Sequence, residues 1–287
     1  MKSNSAKFSS KTRFTDKLLM ALIWVCSMIT LAVLAWILIY VISKGLPNLS
    51  WEFVSTIYKP NSEKFGILPM IISTVYIVLL TVAISTPIGI CSAIYLVEYS
   101  RPGKVVNLIR FATETLSGIP SIIYGLFGLI FFVITLHFKY SILSGALTLC
   151  IMVLPTIIRT TEEALKAVPD SYREGSLALG ATKLKTIARV ILPSAIPGIL
   201  TAIILSVGRI VGETAAVYLT AGYVTRIPKD IMSSGRTLSV HLYQLAREGI
   251  SLGQSFATAT ILVIIVALLN FTATRIAGGL KRITMGK

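Results

Sequence analysis

Six long apolar stretches constrain the fold of this chain more than any other feature of its sequence. They lie near residues 18–42, 68–97, 116–136, 142–158, 198–221 and 255–273. A helix of about 20 apolar residues crosses the ~30 Å hydrocarbon core of a bilayer, and each stretch is close to that length or longer. The sequence therefore predicts an all-helical integral membrane protein with six transmembrane helices.

The charge distribution supports the same class of protein. Of the 287 residues 54% are hydrophobic and 14% charged, and the formal net charge is +15. Such a charge could indicate nucleic-acid binding, but 18 of the 27 Lys and Arg residues fall in the segments 1–17, 98–113, 159–193 and 275–287, and eight in the alternate segments. Because cytoplasmic segments are enriched in Lys and Arg, both termini and the 159–193 loop are predicted to face the cytoplasm. We expect contact with membrane lipid and no nucleic-acid partner.

Metal chemistry and direct ATP binding are not expected. Cys26, Cys91 and Cys150 all lie inside apolar stretches, while His137 and His241 are single and far apart. This pattern favours neither a disulfide framework nor a zinc site. The chain has no G-x-x-x-x-G-K-[ST] motif, so it is not predicted to bind ATP through a P-loop. No cofactor is expected in this chain.

Arg209 and Glu213 lie near the middle of the fifth stretch. At about 1.5 Å per residue they are roughly 16–18 Å from either end, too far for easy contact with the surface. An ionised Arg at a helix centre costs about 2.5–3.5 kcal/mol on insertion scales. On one continuous helix, small and polar residues share a stripe with both charges: Ala202, Ser206, Arg209, Glu213, Ala216 and Thr220. Two interpretations are open: an ion pair that fixes helix packing, or a hydrated pathway for an anion.

A polar segment, residues 170–193, separates the fourth and fifth stretches. Ser171 and Glu174 have the spacing of a capping box, which predicts a helix that begins there. Its proposed docking face contains Tyr172, Gly175, Ser176 and Leu179. Gly180 is placed to end that helix in a left-handed conformation. A second amphipathic helix is predicted to end at Pro193. From this pattern alone, a helix on the membrane surface and a docking element are both possible.

This segment resembles the coupling loop of ABC-importer permeases. Four positions keep the spacing of that family: Glu174, Gly180, Leu192 and Pro193. Gly175 and Ser176 replace the usual alanines, one small residue for another. The resemblance implies that the loop fits into a cleft on a cytoplasmic ATPase, with contacts from Tyr172, Glu174, Gly175, Ser176, Leu179 and Gly180.

Three further stretches are similar to permeases of the high-affinity phosphate ABC importer. They are S-G-I-P-S-I-I-Y-G-L-F-G-L (117–129), L-P-T-I-I-R-T-T-E-E-A-L-K-A-V-P (154–169) and G-R-I-V-G-E-T-A-A (208–216). The run R-T-T-E-E-A-L and the segment T-L-S-V-H-L-Y (237–243) are closer to the A-type than to the C-type subunit. The resemblance implies a six-helix, type I (MetI-like) permease in a bacterial cytoplasmic membrane. Its expected organisation is a basic tail (1–17), a first helix with an external loop (18–65), a permease core (66–275) and a second tail (276–287).

The same resemblance implies the partners and the role of the charged residues. A second permease subunit, two ATPase subunits that bind ATP and Mg²⁺, and an extracytoplasmic phosphate-binding protein are expected. Arg209, Glu213, Ser206 and Thr220 would line a pathway for inorganic phosphate. Arg159, at the cytoplasmic end of the fourth stretch, either receives the anion on exit or is an ordinary positive-inside arginine.

Several alternatives remain open at this point. Within the family, the chain could be the C-type partner or a permease for another oxyanion such as sulfate or molybdate. Outside it, an ion-coupled secondary anion transporter would work without ATP. A non-transporting membrane scaffold would tolerate removal of the Arg209 charge.

Overall fold

The computed structural model describes residues 10–58, 66–101 and 103–284, which form helices joined by short loops with no β-strand. Within these residues, five helices are long and apolar enough to cross a membrane: α1 (Ser10–Gly45), α3 (Leu68–Ile94), α6 (Ile142–Lys166), α9 (Leu192–Gly212) and α12 (Leu252–Thr284). The helical class predicted from the apolar stretches is therefore confirmed.

The third apolar stretch forms the second half of a bent pair of helices, whose first half begins before the stretch, at Lys104. Helix α4 (Lys104–Ser117) is followed by α5 (Ser121–Gly128) and a π-helical segment, Leu129–Thr135, and the two parts differ in direction by 102°. Pro120 stands directly before α5. Proline lacks an amide N–H and disfavours helical geometry at the preceding residue, so a break here is expected. Counted as one span, the pair gives the sixth helix of the sequence prediction.

Short helices lie at both ends of the bundle. Helices α2 (Trp51–Ser55) and α11 (Leu238–Arg247) are at one end, which we call the α11 end. Helices α7 (Asp170–Ala178) and α8 (Lys183–Thr186) connect α6 to α9 at the opposite end, which we call the α7 end. Helix α10 (Ala215–Thr220) follows α9 directly.

Helices α3, α6 and α9 form the centre of the bundle. Each packs against the other two, and α10 adds to the same cluster of buried side chains: Ile77, Leu149, Met152, Val153, Ile157, Ile210, Val211 and Val217. At the α7 end a second cluster joins α3, α6 and the start of α9: Ala93, Leu165, Val168, Ile191, Ala195 and Ile199. The α7 end is thus packed directly onto the three central helices.

Helix α1 lies at the edge of the bundle and packs along α12. Gly45 closely approaches Thr260 and Phe256, and the Tyr40 ring meets the Phe256 ring edge-on at 5.8 Å. Most of its other apolar side chains are exposed, as expected for a helix surrounded by lipid. Helix α1 already begins at Ser10, inside the predicted basic tail 1–17, and residues 1–9 lie outside the described residues.

Candidate functional site

The fifth span is broken at the charged positions. Helix α9 ends at Gly212, Glu213 is extended with φ −73° and ψ 127°, and α10 begins at Ala215. The prediction of one continuous helix through Arg209 and Glu213 is therefore wrong. No ion pair joins these two side chains within the described residues.

Local hydrogen bonds stabilise the break. The Ala216 amide donates to Glu213 Oε1 at 3.2 Å, so the carboxylate satisfies a free amide in the first turn of α10. Ser239 of α11 donates its hydroxyl hydrogen to the Glu213 carbonyl oxygen at 2.7 Å. Because a helix end leaves backbone groups without intrahelical partners, these two bonds supply what the interruption removes.

Arg209 is half-buried in the last turn of α9. Among the described residues it has no hydrogen-bond or ion-pair partner. The α9 face beside it is open: Thr201, Leu205 and Gly212 are exposed, and a Cβ placed on Gly208 or Gly212 would meet no atom within 4 Å. The guanidinium therefore borders a surface that the described residues leave uncovered.

The other two predicted pathway residues of this span are packed inside the bundle. Ser206 is 1% exposed and donates to the Ala202 carbonyl at 2.8 Å. Thr220 is fully buried and donates to the Ala216 carbonyl at 2.6 Å. Neither side chain therefore lies on the exposed face beside Arg209. The break changes the helical register of Thr220, whereas Ser206 lies in α9 together with Arg209 and faces the packed side of that helix.

Arg159 belongs to a cluster of charges between α4 and α6. Its guanidinium lies 3.6 Å from Glu114 and 3.5 Å from Glu163, and its side chain is 59% exposed. Beside it, the buried carboxylate of Glu162 pairs with Arg110 and Lys166, both at 2.7 Å. These residues line a cleft of about 230 Å³. The Arg110–Glu162 contact was missed because no periodicity in the sequence relates α4 to α6.

Helix α7 has the predicted C-terminus and a different N-terminus. It begins at Asp170 after Pro169, and no side chain caps it, so the predicted Ser171 capping box is wrong. Gly180 has φ +80°, the Ala181 amide donates to Ser176 O at 3.2 Å, and the Gly180 amide donates to Leu177 O at 2.9 Å. This is a Schellman ending, and the predicted left-handed Gly180 is confirmed.

The second helix of the loop does not end at Pro193. Helix α8 continues through a π-helical segment, Ile187–Ile191, into α9. Pro193 stands next to the junction of the π-helical segment with α9, and the helical run continues through it. The prediction of a separate helix that stops there is therefore wrong.

The α7–α8 loop presents an exposed surface. Ser176 of α7 and Thr186 of α8 share a hydrogen bond of 2.9 Å, which holds the two helices together. Glu174 and Gly175 are exposed, and large apolar side chains project beside them: Tyr172 is 52%, Leu184 68% and Leu179 90% exposed. Such a group of exposed apolar residues is typical of a docking surface.

A polar cluster lies at the α11 end. Arg236 donates to the Tyr223 carbonyl at 2.8 Å and to His241 Nδ1 at 3.3 Å, and the Tyr58 ring packs edge-on against His241 at 5.3 Å. Burial, and secondarily the Arg236 charge, lowers the pKa of His241 to about 3. Burial also lowers the pKa of Arg236. His241 is therefore a neutral, packed side chain at ordinary pH.

Comparison with known proteins identifies the family. The family described as "binding-protein-dependent transport system inner membrane component" matches residues 85–282. The chain belongs to this family. It is a multi-pass membrane permease component of an ABC importer rather than an enzyme.

Curated relatives are similar over most of their length. A probable ABC transporter permease protein, YqgI of Bacillus subtilis, is 34% identical over 90% of this chain and 93% of its own. The phosphate transport system permease protein PstA of Pasteurella multocida is 34% identical over 91% of this chain and 94% of its own. PstA 1 of Mycobacterium tuberculosis H37Rv is 33% identical over 86% of this chain and 82% of its own.

Solved structures show the same fold. A bacterial alginate ABC transporter superposes with a TM-score of 0.64 at 16% identity, over 96% of this chain and 97% of the other. The MetNI methionine ABC transporter superposes with a TM-score of 0.59 at 22% identity, over 75% and 94%. The predicted MetI-like permease fold is thus confirmed.

Proposed function

We propose that this chain forms half of the pathway through which an ATP-driven importer moves inorganic phosphate across a bacterial cytoplasmic membrane. Several curated relatives are phosphate transport permeases named PstA, which supports the A-type assignment over the C-type. The observation that carries the proposal is Arg209, a cation at a broken helix end that borders an uncovered face and has no anionic partner among the described residues.

The chemistry of Arg209 suits phosphate. Phosphate carries one to two negative charges near neutral pH and needs a counter-charge in a low-dielectric region. The guanidinium offers a planar set of donors that binds two oxygens of a tetrahedral anion at once. Because Glu213 caps α10 instead of neutralising Arg209, the cation is available for an anion without first breaking an ion pair.

Glu213 has a second proposed role, in selectivity. Its Oε1 accepts from Ala216, and Oε2 has no hydrogen-bond partner among the described residues. Oε2 can accept a hydrogen bond from a protonated phosphate oxygen. Sulfate has no such proton near neutral pH, so the carboxylate would repel it without compensation. Arg159 is proposed to contact the anion at the α7 end, after exchange with its Glu114 and Glu163 partners.

We assign the partners by surface. The α7 end faces the cytoplasm, as do both termini, and its exposed Tyr172, Leu179 and Leu184 dock onto an ATPase subunit. Two such subunits bind ATP and Mg²⁺ and carry out hydrolysis. A second permease covers the open face at Gly208 and Gly212, where the missing side chains permit a close approach of helices. An extracytoplasmic phosphate-binding protein delivers the anion at the α11 end.

Reconstitution of the wild-type complex tests this function. Vesicles that contain both permeases and the ATPase, supplied with the phosphate-loaded binding protein, should accumulate labelled phosphate only with ATP on the ATPase side. Excess sulfate should compete weakly. Uptake by vesicles that contain this chain alone, driven by an ion gradient and indifferent to ATP, would contradict the proposal and favour a secondary transporter.

A further inference from the structure

Arg173 connects the coupling helix α7 to two other elements. Its Nε and Nη2 both donate to Glu98 Oε1, at 3.1 and 2.9 Å. Nη2 also donates to the Leu165 carbonyl at 2.9 Å. Nη1 donates to the Val168 carbonyl at 2.8 Å and to Asp170 Oδ1 at 3.0 Å. One side chain therefore links α7 to the end of α6 and to a residue 75 positions earlier in the chain.

The Arg173–Glu98 pair is largely withdrawn from solvent. The Arg173 side chain is 19% exposed and that of Glu98 8%. Removing one partner of such a pair leaves the other charge desolvated and unpaired, which makes the contact sensitive to single substitutions. The contact at Asp170 differs, because that carboxylate is 86% exposed and adds little.

Glu98 is coupled to the central helices. It lies in the π-helical segment Tyr95–Tyr99, which continues α3 without a break. Helix α3 packs along both α6 and α9, and the Leu165 side chain belongs to the cluster that joins these three helices at the α7 end. A displacement of Arg173 therefore acts on α3 through Glu98 and on α6 through the Leu165 and Val168 carbonyls.

Helix α7 has few other attachments to the bundle. None of its residues is buried. Outside the Arg173 links, its main packing contacts are with α8 and the π-helical segment Ile187–Ile191, including the Ser176–Thr186 hydrogen bond. Those contacts lie on the side of α9, so the direct polar connection from α7 to α3 passes through Arg173.

We propose that Arg173 is a positioning residue that transmits movement of the docked ATPase from α7 to α3 and α6. The inference rests on the proposed ATP-driven function. In this proposal the exposed surface of α7 binds the ATPase. Arg173 lies on the opposite side of α7, largely withdrawn from solvent, and passes the movement of α7 on to the membrane helices. Loss of the Arg173–Glu98 link should leave the ATPase bound and reduce the amount of phosphate imported per ATP hydrolysed.

The test measures labelled phosphate imported per ATP hydrolysed in reconstituted vesicles that contain the complete complex. For Arg173→Gln and for Glu98→Gln the ATPase should still co-purify, and the transport ratio should fall by about tenfold, the size expected when a coupling free energy is removed. The ratio for the double variant should be no lower than that of the more impaired single variant, because each single substitution already breaks the same Arg173–Glu98 pair. Arg173→Lys should recover part of the ratio, since an ammonium retains the charge and loses the fork.

Arg101→Gln is the matched control. Arg101 is an exposed arginine three positions after Glu98 and has no hydrogen-bond or ion-pair partner among the described residues, so its substitution should leave the ratio unchanged. Normal ratios in both single variants, or fully additive losses in the double variant, would overturn the inference. If Arg173→Gln does not assemble, Glu98→Gln alone decides, because it keeps the carbonyl contacts of Arg173. A wild-type complex without ATP-driven uptake would instead refute the proposed function.

Discussion

Gly180 offers a sharp test of the coupling loop because its substitution changes only the strain of the backbone at that residue. The residue has φ +80°, and a Cβ added there would meet no atom within 4 Å. Gly180→Ala therefore introduces no clash and only the strain of a left-handed residue, about 1–2 kcal/mol. Helix α7 has nine residues and no side-chain N-cap, so little other local stability offsets that strain.

The expected effect is a weaker interaction with the ATPase. A penalty of about 1–2 kcal/mol shifts a conformational equilibrium by about 5–30-fold, so the apparent affinity for the ATPase should fall by up to that factor. The affinity can be measured by titrating detergent-solubilised permease with the ATPase subunit and following phosphate-stimulated hydrolysis. Gly180→Asn should be milder, because Asn tolerates the left-handed region better than other non-glycine residues.

Gly175→Ala is the paired comparison for this experiment, on the same predicted docking face and at a position where the resembled permeases usually have alanine. Gly175 is within α7, is exposed, and would also accommodate a Cβ without contact. Alanine in a helix interior is favoured over glycine by up to about 1 kcal/mol, so this variant should bind the ATPase at least as well as the wild type. Equal affinities for Gly180→Ala, Gly175→Ala and the wild type would refute the argument that the Schellman ending shapes the docking surface.

Three further outcomes are expected. Gly128→Val should lower the thermal stability of the complex, since a Cβ there collides with Thr148 and Thr220, and overpacking costs about 1–3 kcal/mol; a melting temperature equal to that of the wild type would contradict the packing. Burial lowers the pKa of His241 from its ordinary value of 6.5 to about 3 in the folded protein. As the pH falls below 6.5, the unfolded chain therefore binds a proton at His241 that the folded protein does not bind. Stability should therefore drop by about 2 kcal/mol between pH 6.5 and 5, and His241→Gln should remove that part of the pH dependence in thermal unfolding. Glu213→Gln keeps an acceptor for the Ala216 amide and removes the charge, so sulfate should compete with phosphate uptake more strongly than in the wild type; unchanged competition would exclude the carboxylate from selectivity.

Local patterns in the sequence predicted the elements that depend on local physics. Continuous apolar length predicted the spans, and the spacing of Gly180 predicted the left-handed helix end. Each of these signals acts within a few residues, through hydrophobic transfer or through restricted backbone angles.

The break in the fifth span could not be predicted in the same way. The segment G-R-I-V-G-E-T-A-A contains no proline and lies inside one uninterrupted apolar stretch, so nothing local in its sequence marks a helix end at Gly212. The interruption depends on a hydrogen bond from Ser239, 26 positions away, and on the Glu213 side chain turning back to the Ala216 amide. The Arg173–Glu98 link is equally distant in sequence and likewise required the fold. Thr220 was assigned to the pathway on a register that the break does not preserve, while Ser206 keeps its register with Arg209 in α9 and is buried by packing against the bundle.

The most direct test of the account is phosphate uptake by the complete complex with Arg209→Ala. The complex should assemble and bind the ATPase normally, because Arg209 makes no hydrogen bond or ion pair among the described residues. ATP-driven phosphate uptake should be lost, and Arg209→Lys should restore only a small part of it, since a point charge does not reproduce the planar fork. Uptake at the wild-type rate by assembled Arg209→Ala complex would contradict the claim that this cation carries the anion across the membrane.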